Sequence, residues 1–182
     1  MDEIELVKAM QQGNMKAFEE LFESYKDRAI KTVYLMTGHK QMAEDIVQEA
    51  FTTCYLSIGK LKNPECFKTW FFKLLTRTAW RSIKKERSLV PTETISELIE
   101  GAKSLESRYE YEALYEQILR LDYPLQTTLI LYYYNELTVK EIAKVMGCFE
   151  GTVKSRLYTA RKRLKLHLLE QEETEPRKVV RV

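Results

Sequence analysis

Between Val153 and Lys165 the chain carries six cations, Lys154, Arg156, Arg161, Lys162, Arg163 and Lys165, and no acid. Helical spacing puts Val153, Leu157, Ala160, Leu164 and Leu168 on one narrow apolar face. Lys154, Ser155, Tyr158, Thr159 and Lys162 fall opposite, with Arg156, Arg161 and Arg163 on the flanks. A solvated helix ordinarily mixes both signs of charge. Cations and hydroxyls without acids suit nucleic acid instead, through hydrogen bonds to base edges and ionic contacts to phosphates. A basic surface helix in a bundle is the plainer reading, and Tyr158 by itself reads equally as a rim aromatic.

The residues just before this stretch favour binding to nucleic acid. Thr138 followed by Glu141 is a capping box, in which each side chain satisfies a free amide at a helix start. Ile142, Ala143, Val145 and Met146 give that short helix its apolar side. Gly147 ends it, because glycine takes the left-handed conformation cheaply. Cys148 and Phe149 complete a tight turn, and the basic helix starts near Glu150. Two helices this close, the second one cationic, predict a helix-turn-helix that lays its second helix in a major groove.

Two further faces carry chemistry. In the helix predicted from Phe67 to Arg87, the spacing of Phe67, Trp70, Phe71, Leu74, Leu75 and Thr78 marks the core side. Lys73, Arg77, Trp80, Arg81 and Lys84 share an adjoining face, extended by Lys85 and Arg87. Cations beside rings fit partly unstacked nucleic acid, where charges track phosphates and rings accept bases. Trp80 lies off the core side, and the pattern leaves it open between core edge and stacking platform. In the helix Met42–Ile58, Ala43, Ile46, Val47, Ala50, Phe51, Cys54 and Ile58 face inward. Asp45, Gln48, Glu49 and Thr52 line the opposite side, with no lysine or arginine near enough to neutralise them. By charge pattern alone that stripe reads as a solvated face; docking onto a basic protein surface is the sharper alternative.

These faces need helices to hold them. Only 6 Gly and 4 Pro interrupt 182 residues, and the apolar residues recur at three and four, so the fold class is all-α. The segment from Ala17 to Met36 gives one amphipathic helix on Phe18, Leu21, Phe22, Tyr25, Ala29 and Val33, ended at Gly38. Lys60–Phe67 is a loop with Asn63-Pro64 as its turn. Periodicity fails from Ser88 to Ser107, around Pro91 and Gly101 and an acidic excess. The reading is therefore two small helical domains, 1–87 and 108–171, joined by a flexible linker at 88–107 and followed by a disordered charged tail at 172–182. The net charge of +2 conceals the segregation of the two signs into blocks. Cys54, Cys66 and Cys148 have no C-x-x-C spacing, and His39 and His167 lie far apart, so no metal site and no cofactor are expected. The absence of a secretory apolar region or a membrane-length apolar run points to a reduced, cytoplasmic setting without membrane insertion.

Three stretches in order, "AEDIVQEAF" at Ala43–Phe51, "FKTWFFKLL" at Phe67–Leu75 and "LTVKEIAKVMGCFEGTVKSRLYTARKRL" at Leu137–Leu164, resemble the extracytoplasmic-function group of bacterial RNA polymerase sigma factors. The resemblance covers roughly Met15 to Gln171. It implies a helical region 2 and a helical region 4 around a linker that threads towards the RNA exit path. Asp45, Gln48, Glu49 and Thr52 would dock on the β′ coiled coil of core polymerase, which displaces the solvated reading of that stripe, and the β flap would be a second core contact. Lys73, Arg77, Trp80, Arg81 and Lys84, with Asn63 in the loop that captures a flipped base, would open and read the minus-10 element. Lys154, Ser155, Arg156, Tyr158, Thr159, Arg161, Lys162 and Arg163 would bind the minus-35 element. An anti-sigma factor is a further partner implied by family habit.

Some positions depart from the family pattern. Arg77, Arg81 and Ser82 stand where Asn and Asp-Arg are common, so the minus-10 surface is more cationic. Thr159 stands in place of a frequent Arg, and Phe149 in place of a small residue or Pro. The competing class is a free-standing helix-turn-helix regulator binding DNA as a dimer, which leaves the acidic stripe and the second basic helix without a use. An enzyme acting on nucleic acid would need a metal cluster, a Gly-rich phosphate loop or a nucleophile–base pair, and none stands out in the sequence.

Overall fold

The structure, a computed structural model, describes residues 1–86 and 114–174, with the backbone alone at Glu86 and at 167–174. The described residues form helices joined by short turns: α1 (Glu3–Gln11), α2 (Met15–Thr37), α3 (Lys40–Ser57), α4 (Phe67–Glu86), α5 (114–120), α6 (Tyr123–Tyr133), α7 (Val139–Met146) and α8 (Glu150–Thr174). Two single 3-10 turns, Ile58–Lys60 and Pro64–Cys66, shape the loop between α3 and α4. The expected linker, 88–107, lies outside the described residues. Helix α8 runs through Thr174 and so takes in the first three residues of the expected tail; 175–182 lie outside the description.

Local signals explain most helix ends. Asp2 and Glu5 close a capping box on α1, and the Asn14 side chain accepts the Ala17 amide at the start of α2. Gly38 ends α2 in the left-handed region at φ 74. A Cβ there would also stand 3.2 Å from Leu119 Cδ1, so this glycine admits α5 against the end of α2. The capping box on α7 is present as expected: Glu141 N–H donates to Thr138 Oγ1, and Thr138 N–H donates to Glu141 Oε2 at 2.8 Å.

The first three long helices pack around aromatic rings. Tyr25 on α2 meets Phe67, Phe71 and Phe72 of α4, and Phe51 of α3 meets Phe22 and Phe71. The predicted core side of α4 needs correction. Trp70 and Leu74 are only half-buried, whereas Phe72, Thr76 and Ala79 are buried. The reason is packing on a second side: α7 lies against α4, and α6 against α2. A helix clasped from two directions has no single apolar stripe, so one-sided periodicity misjudges it.

One continuous core therefore joins both halves of the chain, running from Val7 and Phe67 to Leu137, Ile142 and Val153. Directed bonds fix the junction. The buried Thr32 hydroxyl donates to Asn135 Oδ1 at 3.0 Å, and Gln126 Nε2 donates to the Leu35 carbonyl at 3.2 Å. The Tyr115 hydroxyl donates to the Tyr34 carbonyl, and the Tyr123 hydroxyl to the Thr76 carbonyl, each at 2.8 Å. Burial pushes the Tyr123 phenol up to about 12, so it remains a donor at neutral pH. A smaller cluster, Leu121, Leu125, Leu129 and Ala160, joins α6 to α8.

Candidate nucleic-acid and polymerase interfaces

Three separate surfaces carry the expected binding residues. The first is a groove of about 630 Å³ between the end of α3 and the exposed side of α4. Lys60, Lys73, Arg77 and Arg81 line it together with Trp70 and Trp80. Four cations and two indoles on one open groove match the requirements of a partly unstacked strand. Lys60 opens the loop Lys60–Phe67 that the family resemblance gives to base capture, but its charge was not singled out; it sits at the 3-10 turn, where helical periodicity gives no signal. Lys84 is exposed on α4 but does not line the groove. The Asn63 side chain accepts the Glu65 amide at 3.1 Å and so sets the Pro64–Cys66 turn at the edge of this module.

Trp80 is 52% exposed, and Tyr123 of α6 stacks on it at 5.8 Å and 19°. The ring thus has one free side and one side shared with the second half of the chain. Sequence spacing alone left its role open because the covering residue lies 43 positions away.

The second surface is the acidic stripe of α3. Asp45, Gln48, Glu49 and Thr52 are all exposed, as expected. The expectation that no cation lies near is corrected at one position: Arg81 of α4 pairs with Glu49 at 2.8 Å. Arg81 is distant in sequence, and only the packing of α3 on α4 brings it over. Both partners are more than half exposed, so the pair contributes little stability and is readily exchanged for another partner. Asp45 is held loosely by Gln41 Nε2 at 3.3 Å, and the Thr52 hydroxyl donates back to the Gln48 carbonyl at 2.9 Å. Leu56, 77% exposed one turn beyond Thr52, continues the stripe with an apolar end that was not singled out in the sequence.

The third surface is α8. Val153, Leu157 and Ala160 are buried and Leu164 is half-buried, as the helical wheel requires; the Leu168 side chain lies outside the description. Lys154, Ser155, Tyr158 and Lys162 are exposed opposite them. Thr159 is half-buried and contributes less to that face than expected. The flanking arginines are engaged within the chain. Arg161 Nε donates to the Tyr133 hydroxyl at 2.7 Å and lies over the Tyr132 and Tyr133 rings. Arg163 pairs with Asp122 at 2.6 Å. Arg156 is half-buried, with Nη1 donating to Cys148 Sγ at 3.7 Å, and borders a cleft shared with Arg77, Trp80 and Tyr123. Among the described residues the exposed face thus keeps Lys154, Lys162 and Lys165 outside any ion pair, with arginines braced behind them.

The three cysteines are free thiols, and burial pushes Cys54 up to about 12, so that thiol stays protonated. No group of three or more potential metal ligands occurs among the described residues, and none of their helices is long and apolar enough to cross a membrane.

An all-helical fold with a cationic, aromatic-lined groove on α4 and a helix-turn-helix at α7 and α8 suits a DNA-binding protein, and comparison with known proteins gives the class. Residues 21–89 match the family model for sigma-70 region 2, and residues 111–164 match that for sigma-70 region 4. The chain is 36% identical over 150 residues to the RNA polymerase sigma factor SigV of Bacillus subtilis, spanning 81% of this chain and 89% of that protein. It is 30% identical to the RNA polymerase sigma-H factor of Pseudomonas aeruginosa over 86% of this chain and 89% of that one. The chain belongs to the extracytoplasmic-function group of RNA polymerase sigma factors, and as such directs core polymerase to start transcription at particular promoters. Solved folds agree. CnrH, in complex with the cytosolic domain of CnrY, superposes with a TM-score of 0.72 at 18% identity, over 93% of this chain and 98% of that one. The sigma factor RpoE of Bartonella quintana, in complex with the anti-sigma factor NepR, gives 0.71 at 20% identity, over 91% and 99%.

Proposed function

We propose a division of labour within this sigma factor. Residues 1–87 hold core polymerase and open the minus-10 element; residues 108–171 read the minus-35 element. The observation that carries this reading is the groove on α4, where Lys73, Arg77 and Arg81 stand with Trp70 and Trp80. A duplex-reading module alone has no use for it, whereas a strand being separated needs both charge and rings. Asn63 and Lys84 extend the cationic and polar margin of the same module. Asp45, Gln48, Glu49 and Thr52 meet the β′ coiled coil of core polymerase. Glu49 can change partner from Arg81 to a polymerase cation, which would free Arg81 for DNA. On α8, Ser155 and Tyr158 reach base edges and Lys154 and Lys162 hold phosphates, while Arg156, Arg161 and Arg163 orient the helix.

The protein performs no reaction of its own and works in the cytoplasm, where polymerase is found. RpoE is seen with the anti-sigma factor NepR and CnrH with the cytosolic domain of CnrY, which supports an anti-sigma partner for this chain as well. The free-standing regulator is disfavoured by the match over residues 21–89, which that reading leaves without a purpose. A pull-down with purified core tests the assignment of the stripe. Asp45→Arg with Glu49→Arg should abolish core binding while the helical signal and melting temperature stay close to those of the parent. Retained core affinity would remove the α3 stripe from the interface.

A further inference from the structure

Phe149 is the most exposed large apolar side chain among the described residues, at 87%. It makes no ring contact among them and belongs to neither apolar cluster. A single exposed ring is ordinary on a protein surface. Its position is not ordinary. The Phe149 carbonyl accepts the amides of Thr152 and Val153, so this residue caps α8 at the end that a helix-turn-helix directs into the groove.

The charge around it narrows the possible partner. Glu150, Gly151, Thr152 and Val153 follow, so no cation stands in α8 before Lys154. The Phe149 ring itself offers a phosphate neither charge nor a donor, so what it can cover on DNA is an apolar part of a base edge. Gly151 has nothing within 4 Å of where a Cβ would stand, so this end of the helix is slim enough for close approach. On the major-groove edge of the bases the apolar group is the thymine 5-methyl. We infer that Phe149 is a specificity-determining residue of the minus-35 contact, and that its ring packs on a thymine methyl at the margin of the element. The inference rests on the assignment of α8 to minus-35 reading and adds a contact outside the Lys154, Ser155, Tyr158 face.

The test uses holoenzyme assembled from this chain and core polymerase. Promoter duplexes are recovered from a library randomised in the minus-35 element, and each thymine of the best sequence is replaced singly by deoxyuridine, which removes only the methyl. The parent should lose about fourfold in affinity at one thymine, the size expected for one buried methyl group. Phe149→Ala should bind the thymine and deoxyuridine duplexes equally, and Phe149→Leu should keep part of the difference. Both variants should melt with the parent, since the ring is exposed. The inference is overturned if no thymine carries a penalty in the parent, or if Phe149→Ala weakens every sequence alike and keeps the penalty. A Lys154→Ala arm separates the two levels. If that change leaves affinity and salt dependence untouched, α8 does not hold the element and the underlying assignment fails. If it weakens binding while Phe149→Ala changes nothing, the inference about Phe149 alone fails.

Discussion

At the scale of single residues, Ser155 and Lys162 share the exposed face of α8 but differ in what they can exchange with DNA. A hydroxyl offers direction and distinguishes base edges; an ammonium on a long stem offers charge without direction. Ser155→Ala should therefore alter preference at one or two minus-35 positions, by roughly 1–3 kcal/mol on the best site. Lys162→Ala should weaken all sequences about equally and lower the salt slope by about one. Competition binding of the holoenzyme at two salt concentrations separates these outcomes. The exposed lysine and serine were legible in the sequence, since a helical wheel fixes their side. The engagement of Arg161 with Tyr133 and of Arg163 with Asp122 was not, because those partners lie on or beside α6, and no periodicity within α8 points to them.

At the scale of elements, α7 shows how much local sequence decides. Its start, its end at Gly147 and its apolar side follow from eight residues and their flanks. Burial tends to raise the Glu141 carboxyl, but hydrogen bonds from the Thr138 hydroxyl and amide, with the charges of Lys68 and Lys144, hold it below its ordinary value. A depressed carboxyl contributes stability above its unfolded value, and that contribution is lost as pH falls through the folded one. Thr138→Ala should cost about 1 kcal/mol at neutral pH, and the difference from the parent should shrink in acid. Thermal melts between about pH 3 and pH 7 would show it. A difference that grew on acidification would mean that the box does not hold Glu141 ionised. By contrast, α4 was misjudged in part. Phe72 is core against Tyr25 of α2, and α7 closes over α4 from a second side, a neighbour that sequence spacing within one helix cannot reveal.

At the scale of the whole molecule, the two halves are docked through buried polar bonds and one shared core. The two helical modules were legible in the sequence, but the junction left no sign there: Thr32, Gln126 and Asn135 look like ordinary polar residues until they are brought together. The docked form cannot span a promoter. Elements centred about 25 base pairs apart are separated by roughly 85 Å at about 3.4 Å per pair, whereas α7 packs directly on α4. Tyr123 also covers one side of Trp80. The modules must separate when both elements are read. A Thr32→Cys, Asn135→Cys pair, oxidised to a disulfide, should therefore be silent in transcription with core polymerase and recover on reduction. Equal activity of the oxidised and reduced forms would show that the junction already opens elsewhere or is never closed in solution.

The central claim is that this chain confers promoter specificity on core polymerase, and run-off transcription measures it directly. Purified core is supplied with a linear template carrying the minus-35 and minus-10 elements selected by the holoenzyme, with and without the chain. The account predicts a discrete transcript only when the chain is present, lost when either element is scrambled and lost with Asp45→Arg, Glu49→Arg. A transcript of equal yield without the chain, or a chain that binds the template tightly as a dimer and never engages core, would contradict it.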